Sequence, residues 1–133
     1  MPSFTASQVV VTEEDDVLVV GFDGGMVNGE PVYLTLQYAL GGYTGQDARL
    51  GMSQPYIEYC DQGWGWYGNM THVELRRDRL VVTMSPSAAA RLDGDGIFDV
   101  GFALDDPAFD QLRAGLETTF AGLASFAVRL KPG

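Results

Sequence analysis

One cysteine and one histidine are the residues of this chain that could carry out covalent chemistry together. Cys60 could act as a nucleophile and His72 as its base, if the fold brought the two side chains within hydrogen-bond reach. Such a pair is a weak signal, because sequence spacing does not supply the geometry that catalysis requires. The alternation of "THVEL" instead predicts His72 as an exposed strand residue, and Cys60 as a small buried one. We therefore expect no catalytic residue, and an enzyme using this pair remains a third hypothesis.

Two glycine-rich segments resemble ligand-binding loops only superficially. The segment "DGDG" at 93–96 lacks the third oxygen ligand and the distal glutamate of a calcium loop. The segment "GFDGG" at 21–25 has glycines that follow a strand-like run, but no helix opens after it. A phosphate or dinucleotide site requires the N-terminus of such a helix. The sequence therefore predicts no metal site and no cofactor.

The stretch "CDQGWGWYGNM" at 60–70 has the residue types of a binding site. Its neighbourhood contains five aromatic residues: Tyr56, Tyr59, Trp64, Trp66 and Tyr67. Tryptophan and tyrosine are enriched at binding hot spots, and Trp64 and Trp66 would share a side in an extended segment. They either meet a partner or cap the hydrophobic core, and the sequence leaves both open. A partner could be a protein, or a small ligand or carbohydrate stacked on this aromatic platform.

The charge of the chain is acidic and unevenly distributed. The formal net charge is -10, and the first 48 residues contain seven acidic residues but no lysine or arginine. Arginines cluster in "ELRRDRL" at 74–80. Nucleic-acid binding depends on neutralising phosphates, so this balance argues against it. An acidic face suits a basic protein partner, and the alternative is that the charge only keeps the protein soluble.

The length and composition predict one globular domain over residues 1–133. Hydrophobic residues make up 46% of the 133 residues, which is an ordinary globular proportion. The N-terminal residues lack the basic start and apolar run of a signal peptide. No run approaches the ~20 apolar residues of a membrane helix. We expect a cytoplasmic protein without a membrane segment, and its oligomeric state does not follow from the sequence.

The fold that positions the candidate binding residues is predicted to be α+β. The runs "FTASQVVVT" (4–12) and "DVLVVGFD" (16–23), joined by "EEDD", predict an antiparallel hairpin. Further strands are predicted at 32–40, 56–60, 70–77, 80–85, 97–104 and 125–131. The strands at 70–77 and 80–85 would form a second hairpin. These strands are therefore expected to form a mostly antiparallel sheet.

Two helices are predicted in the second half. The segment "SPSAAARL" (85–92) begins with a capping serine and a proline, which indicates a short helix. The segment 105–123 is the best helix, with Asp105 or Asp106 as its cap and Pro107 at its start. Its apolar residues recur at helical spacing: Phe109, Leu112, Leu116 and Phe120. We expect this long C-terminal amphipathic helix to pack on the sheet.

Several short motifs occur in order between about residues 15 and 120. They are Leu36-Gln37, Gln46-Asp47, Leu50-Gly51-Met52, Tyr56-Ile57-Glu58, Asp61-Gln62 and Tyr67-Gly68. This ordered set resembles the immunity protein 10 family of bacterial polymorphic toxin systems. The resemblance implies a small sheet-rich domain, without enzymatic activity, that binds and neutralises a cognate toxin. Residues 63–66 depart from the family's pattern, which would suit a segment matched to one toxin.

The resemblance and the aromatic residues together predict the toxin contact. The residues expected to form it are Glu58, Tyr59, Asp61, Gln62, Trp64, Trp66 and Tyr67. Because the chain is acidic, the toxin domain is expected to be basic, for example a nuclease. The toxin's activity does not follow from this sequence.

Overall fold

In a computed structural model of the chain, the described residues form two five-stranded β-sheets and one α-helix. The residues that it describes are 3–14, 16–27, 29–39, 55–59, 65–67, 70–89, 96–121 and 126–129. The first five strands are β1 (Ser3–Thr5), β2 (Gln8–Glu14), β3 (Val17–Val27), β4 (Glu30–Ala39) and β5 (Tyr56–Tyr59). The others are β6 (Gly65–Tyr67), β7 (Met70–Arg76), β8 (Arg79–Met84), β9 (Ile97–Gly101) and β10 (Phe126–Arg129). The helix α1 is Asp106–Thr119.

Sheet I contains strands β2 to β6 in chain order, and each strand pairs antiparallel with the next. The predicted first hairpin is confirmed by β2 and β3, in which Val11 pairs with Val20. Asp16 takes a positive φ of 61° in the turn that joins them. Gly24 and Gly25, expected to follow the predicted strand at 16–23, instead lie within β3. That prediction was wrong because β3 continues through a bulge between Asp23 and Met26.

Sheet II has the order β1-β9-β8-β7-β10, so the first and last strands in the chain form its two edges. The predicted hairpin of β7 and β8 is confirmed, and β8 and β9 also pair antiparallel. The edge strands β1 and β10 pair in parallel with β9 and β7. The expectation of a single sheet was therefore wrong, because the predicted strand at 4–12 divides between the two sheets at Ala6 and Ser7. The Ala6 amide donates to Gly101 O in sheet II, and the Ser7 amide donates to Asp23 O in sheet I.

The hydrophobic core lies between the inner faces of the two sheets and beneath α1. Its fully buried residues come from all three elements: Val20, Phe22, Leu34, Leu36 and Ile57 of sheet I, Val73, Leu75, Leu80, Val82, Phe98 and Val100 of sheet II, and Leu112 and Leu116 of α1. Ring contacts join the sheets directly, since the Tyr59 and Phe98 centroids are 4.8 Å apart. Alternating apolar residues on both sheets therefore bury a common interior.

The long helix has the predicted cap and apolar stripe. Asp105 is the N-cap and its Oδ1 accepts from the Ala108 amide at 3.0 Å, while Pro107 lies in the first turn. The four stripe residues named above are all buried. The helix packs closely on sheet I at Gly115. A Cβ at this position would lie only 3.0 Å from a Val11 methyl carbon. One face of α1 thus covers the inner side of β2 and β3.

Arg77 connects sheet II to the start of α1. Arg77 Nη2 donates to Leu104 O and to Asp106 Oδ1, both at 2.9 Å. Its guanidinium carbon lies 4.6 Å from the centre of the Phe109 ring, within cation–π range. The turn between β7 and β8 is therefore joined to the first turn of the helix.

The prediction of a short second helix at 85–92 was wrong. Pro86–Ala89 forms a single four-residue helical turn. One turn fixes several backbone dihedral angles for very few hydrogen bonds, so it does not make a stable helix of its own. Residues 90–95 lie outside the described part of the chain, and so do residues 122 and 123 at the end of the segment predicted as the long helix.

Removing the cap of α1 should destabilise the protein measurably. Asp105→Ala is expected to lower the free energy of unfolding by about 1 kcal/mol, because the Ala108 amide loses its acceptor. Urea denaturation of both proteins measures the difference. Asp110→Ala is the control, since Asp110 is an exposed residue of the same helix and its loss removes the same charge. Equal effects of the two substitutions would contradict a capping role.

Candidate functional site

The outer face of sheet I is the side directed away from sheet II. Successive strand residues point to opposite faces, so the buried Leu18, Val20 and Phe22 mark the inner face of β3. The alternate residues are exposed or half-buried, and the strand register extends this face to the neighbouring strands. The outer face consists of Gln8, Val10, Thr12, Glu14, Val17, Val19, Gly21, Asp23, Tyr33, Thr35, Gln37, Tyr56 and Glu58. It is a mixed apolar and polar surface that presents valines, tyrosines and acids.

The outer face of sheet I is acidic because its strands contain no lysine or arginine. Glu14, Asp23 and Glu58 are its acids. Sheet II differs, because its carboxylates lie beside arginines. Arg76 Nε is 2.6 Å from Glu74 Oε2, and Arg79 Nη1 is 3.0 Å from Asp99 Oδ2. The charge asymmetry of the sequence therefore becomes an asymmetry between the two sheets.

Glu58 is held on the outer face by two tyrosines. The Tyr33 hydroxyl donates to Glu58 Oε2 at 2.8 Å, and the Tyr56 hydroxyl donates to Oε1 at 3.3 Å. The three residues come together because β5 pairs with β4 so that Glu58 lies opposite Thr35. Both carboxylate oxygens thus accept a hydroxyl in a half-buried setting. A carboxylate already held in place loses little side-chain freedom when it meets a partner.

The structure separates two neighbouring residues that the sequence placed together in the toxin contact. Glu58 lies on the outer face, whereas Tyr59 is half-buried against the core. The Tyr59 ring is 4.8 Å from Phe98 and 6.4 Å from Phe4, measured between centroids. Adjacent strand residues point to opposite faces, so these two side chains do not form one flat surface. Tyr59 contributes to the packing that holds β5 in place.

Most of the aromatic stretch falls outside the described residues. Asp61, Gln62 and Trp64 are among the residues that the structure does not describe. Trp66 and Tyr67 belong to β6, the edge strand of sheet I, and pair with Ile57 and Tyr56 respectively. Their side chains also lie outside the description, so their part in a toxin contact stays a prediction. The same holds for the alternative of a carbohydrate-binding platform.

The described part of the chain includes few of the residues on which the hypotheses of a catalytic pair or a metal site depend. His72 is exposed on β7, as predicted, while Cys60 lies outside the described residues, so their proximity is untested. Within the parts of the chain described above, no three His, Cys, Asp or Glu side chains come together as metal ligands. Neither described helical segment is long and apolar enough to cross a bilayer.

Sequence reasoning missed Asp23, Gly21 and Tyr33 as parts of one surface. The alternation at 32–40 already placed Tyr33, Thr35 and Gln37 on the same side of a strand. That alternation did not show which strands would lie beside it, and the pairing with β3 and β5 brings the other residues to the same face.

A family model described as "Immunity protein 10" matches residues 5–110. The chain belongs to the immunity protein 10 family. The match includes every strand of sheet I and the acidic outer face described above. For a member of the immunity protein 10 family, an immunity function and a toxin partner are implied. No curated protein and no solved structure matches the chain.

Proposed function

We propose that this chain is an immunity protein that binds a cognate bacterial toxin domain directly and neutralises it. Membership of the immunity protein 10 family is the observation that carries the proposal. The inhibition would be a protein–protein interaction in the cytoplasm of a bacterium, without catalysis by this chain.

The outer face of sheet I supports the proposal as the surface that meets the toxin. Its half-buried valines and tyrosines provide apolar area, and its three acids provide one sign of charge. Interfaces with complementary potentials associate faster and reject wrong partners. We infer that the partner surface is basic, as expected for a toxin that is a nuclease, since nucleases bind phosphates.

The edge of this sheet formed by β5 and β6 is the proposed second part of the contact. Both strands belong to the segment in which the toxin-contact residues were predicted, and Glu58 links that segment to the outer face. We propose that the toxin contacts the following residues of this edge and of the adjoining segment of the chain: Glu58, Tyr59, Asp61, Gln62, Trp64, Trp66 and Tyr67. The outer face and the edge would together form a continuous binding surface.

Co-expression with a toxin domain encoded directly upstream of this chain's gene tests the proposed function. Cells that produce the toxin domain should grow when this chain is present and die when it is absent. Copurification of the two proteins should accompany the protection. Cells that still die while soluble, folded immunity protein accumulates would contradict the proposal.

Removing either tryptophan of the aromatic stretch should weaken toxin binding. Trp64→Ala and Trp66→Ala are each expected to cost about 2 kcal/mol of binding free energy, because tryptophans dominate hot spots. Calorimetric titration against the toxin domain measures the loss. Trp64→Phe and Trp66→Phe serve as controls that keep an aromatic ring. If the alanine variants have a lower free energy of unfolding but an unchanged affinity, the tryptophans cap the core.

A further inference from the structure

A glycine lies at the centre of sheet I, where a glycine weakens the strand. Gly21 is in the interior of β3, opposite Val10 of β2 and Thr35 of β4. Glycine in a strand interior costs conformational entropy and leaves a gap in side-chain packing. A residue with a side chain would therefore be expected at this position unless the backbone or the neighbours prevented it.

Neither the backbone nor the neighbours of Gly21 require a glycine. Its φ is not positive, and a Cβ built on it would meet no atom within 4 Å. Two other glycines, Gly24 in β3 and Gly115 in α1, differ in this respect. A Cβ on Gly24 would lie 2.7 Å from the Phe4 ring, and one on Gly115 would lie 3.0 Å from Val11. Gly24 and Gly115 are explained by close packing, but Gly21 is not.

The missing side chain leaves an open depression of about 250 Å³ on the outer face of sheet I. Gly21 contributes backbone to it, and the side chains that surround it come from three strands. They are Gln8 and Val10 of β2, Asp23 of β3, and Pro31, Tyr33 and Thr35 of β4. A hollow of this size accepts a single long side chain of a partner.

The charges around the depression favour a basic occupant. Gly25 N donates to Asp23 Oδ1 at 2.8 Å, which fixes the carboxylate at the edge of the hollow. Of the residues that the structure describes, only Gly25 donates to this carboxylate. Tyr33, fixed by its hydrogen bond to Glu58, supplies an aromatic ring beside it. An unbalanced carboxylate beside a tyrosine is an environment that suits a cation.

We propose that the depression above Gly21 receives an arginine side chain of the toxin, whose guanidinium donates to Asp23. This inference rests on the proposed function and names the chemistry of its contact. Val10 and Thr35 would contact the aliphatic part of that side chain, and the Tyr33 ring would lie beside the guanidinium. Arginine fits better than lysine because a planar guanidinium is less strongly hydrated and stacks on aromatic rings.

Filling the depression separates this inference from a structural role of Gly21. Gly21→Leu is expected to lower the affinity for the upstream-encoded toxin domain at least tenfold, with Gly21→Ala intermediate. The urea midpoint should stay the same or rise in both variants, because a Cβ there meets no clash. A glycine with a structural role would instead lower the midpoint when replaced.

Two further variants complete the binding test. Gly101→Ala is the matched control, because Gly101 lies in a strand of sheet II and its Cβ would make only ordinary contacts, the nearest at 3.6 Å. It should leave affinity unchanged. Asp23→Asn keeps an oxygen for the Gly25 amide and should lower affinity about tenfold through the lost charge. If the wild-type chain binds the toxin and Gly21→Leu binds equally well, the inference fails while the proposed function stands. If the wild-type chain neither binds nor protects, the proposed function fails.

A titration without the toxin tests the ligand chemistry directly. Amide chemical shifts of the ¹⁵N-labelled chain should change at Gly21, Asp23 and Thr35 on addition of N-acetyl-arginine amide. The isosteric but neutral N-acetyl-citrulline amide should leave them in place, and Gly21→Leu should abolish the arginine response. Equal responses to both compounds, or changes confined to other residues, would overturn the arginine assignment.

Discussion

A Glu58→Lys variant is expected to lose protection against the cognate toxin and roughly thirty- to a thousandfold in affinity. The expected loss is about 2 to 4 kcal/mol, because a positive charge then faces a basic partner. Glu58 is suited to this test since the Tyr33 and Tyr56 hydroxyls hold its carboxylate on the outer face of sheet I. Calorimetry at low and physiological salt measures the change, and the loss should shrink as salt screens the charges.

Two control variants accompany Glu58→Lys. One makes the same change of charge at another site, and the other keeps the shape of Glu58. Glu117→Lys makes the same change on the exposed side of α1, where Glu117 pairs with Arg113, and should leave affinity within about twofold. Glu58→Gln removes the charge with little change of shape and should have an intermediate effect. Equal losses in Glu58→Lys and Glu117→Lys would mean that net charge, rather than the outer face, determines binding.

A Phe98→Ala variant is expected to lose about 3 to 5 kcal/mol of unfolding free energy. Phe98 is fully buried in β9, and its ring is 4.8 Å from the Tyr59 ring of the opposite sheet. The substitution removes the contact between the sheets and leaves a cavity. The free energy of unfolding of a typical domain is only about 5 to 15 kcal/mol, so the variant would be marginally stable. Urea denaturation measures the loss.

The same variant tests whether stability and binding are separable. Val81→Ala is the control, because Val81 lies half-buried on the outer face of sheet II and should cost about 1 kcal/mol. At a temperature where Phe98→Ala remains folded, its affinity should fall only slightly, since Glu58 and the outer face are unchanged. A large loss of affinity in the folded variant would mean that binding depends on the packing of Tyr59 against Phe98, and that stability and binding are not separable.

Local chemistry made much of the fold predictable. Alternation fixed the hairpins of β2 with β3 and of β7 with β8, because one face of each strand must be buried. The helix was predictable from its cap at Asp105 and an apolar stripe such as Leu112 and Leu116. These features depend on residues close together in the chain, which is why single-sequence reasoning finds them.

The division into two sheets was not predictable, because it depends on partners far apart in the sequence. The run at 4–12 is strand-like throughout, yet Ser3–Thr5 joins sheet II and Gln8–Glu14 joins sheet I. Nothing local distinguishes the two parts. The same limit applies to β10, whose parallel pairing with β7 requires a crossover that alternation does not specify.

The candidate site was predictable only in part. Glu58 was identified from its sequence, and its acidic setting followed from the uneven charge. The register was needed to place Tyr33 beside it and Tyr59 on the opposite face. The depression at Gly21 had no signal in the sequence, because the predicted strand at 16–23 includes this glycine but does not show which residues of other strands surround it. Its meaning follows from the empty space around it.

The order in which the strands leave the ribosome sets when the fold can be completed. The described strands of sheet I are consecutive, but β1 must wait for β9, since Ser3 pairs with Asp99. At about 5 to 20 residues per second, that wait is on the order of 10 s. During it, apolar residues of sheet I such as Phe22 and Leu34 lack sheet II and α1 as a cover. A nascent chain therefore exposes these residues to other chains until synthesis has passed β9 and α1.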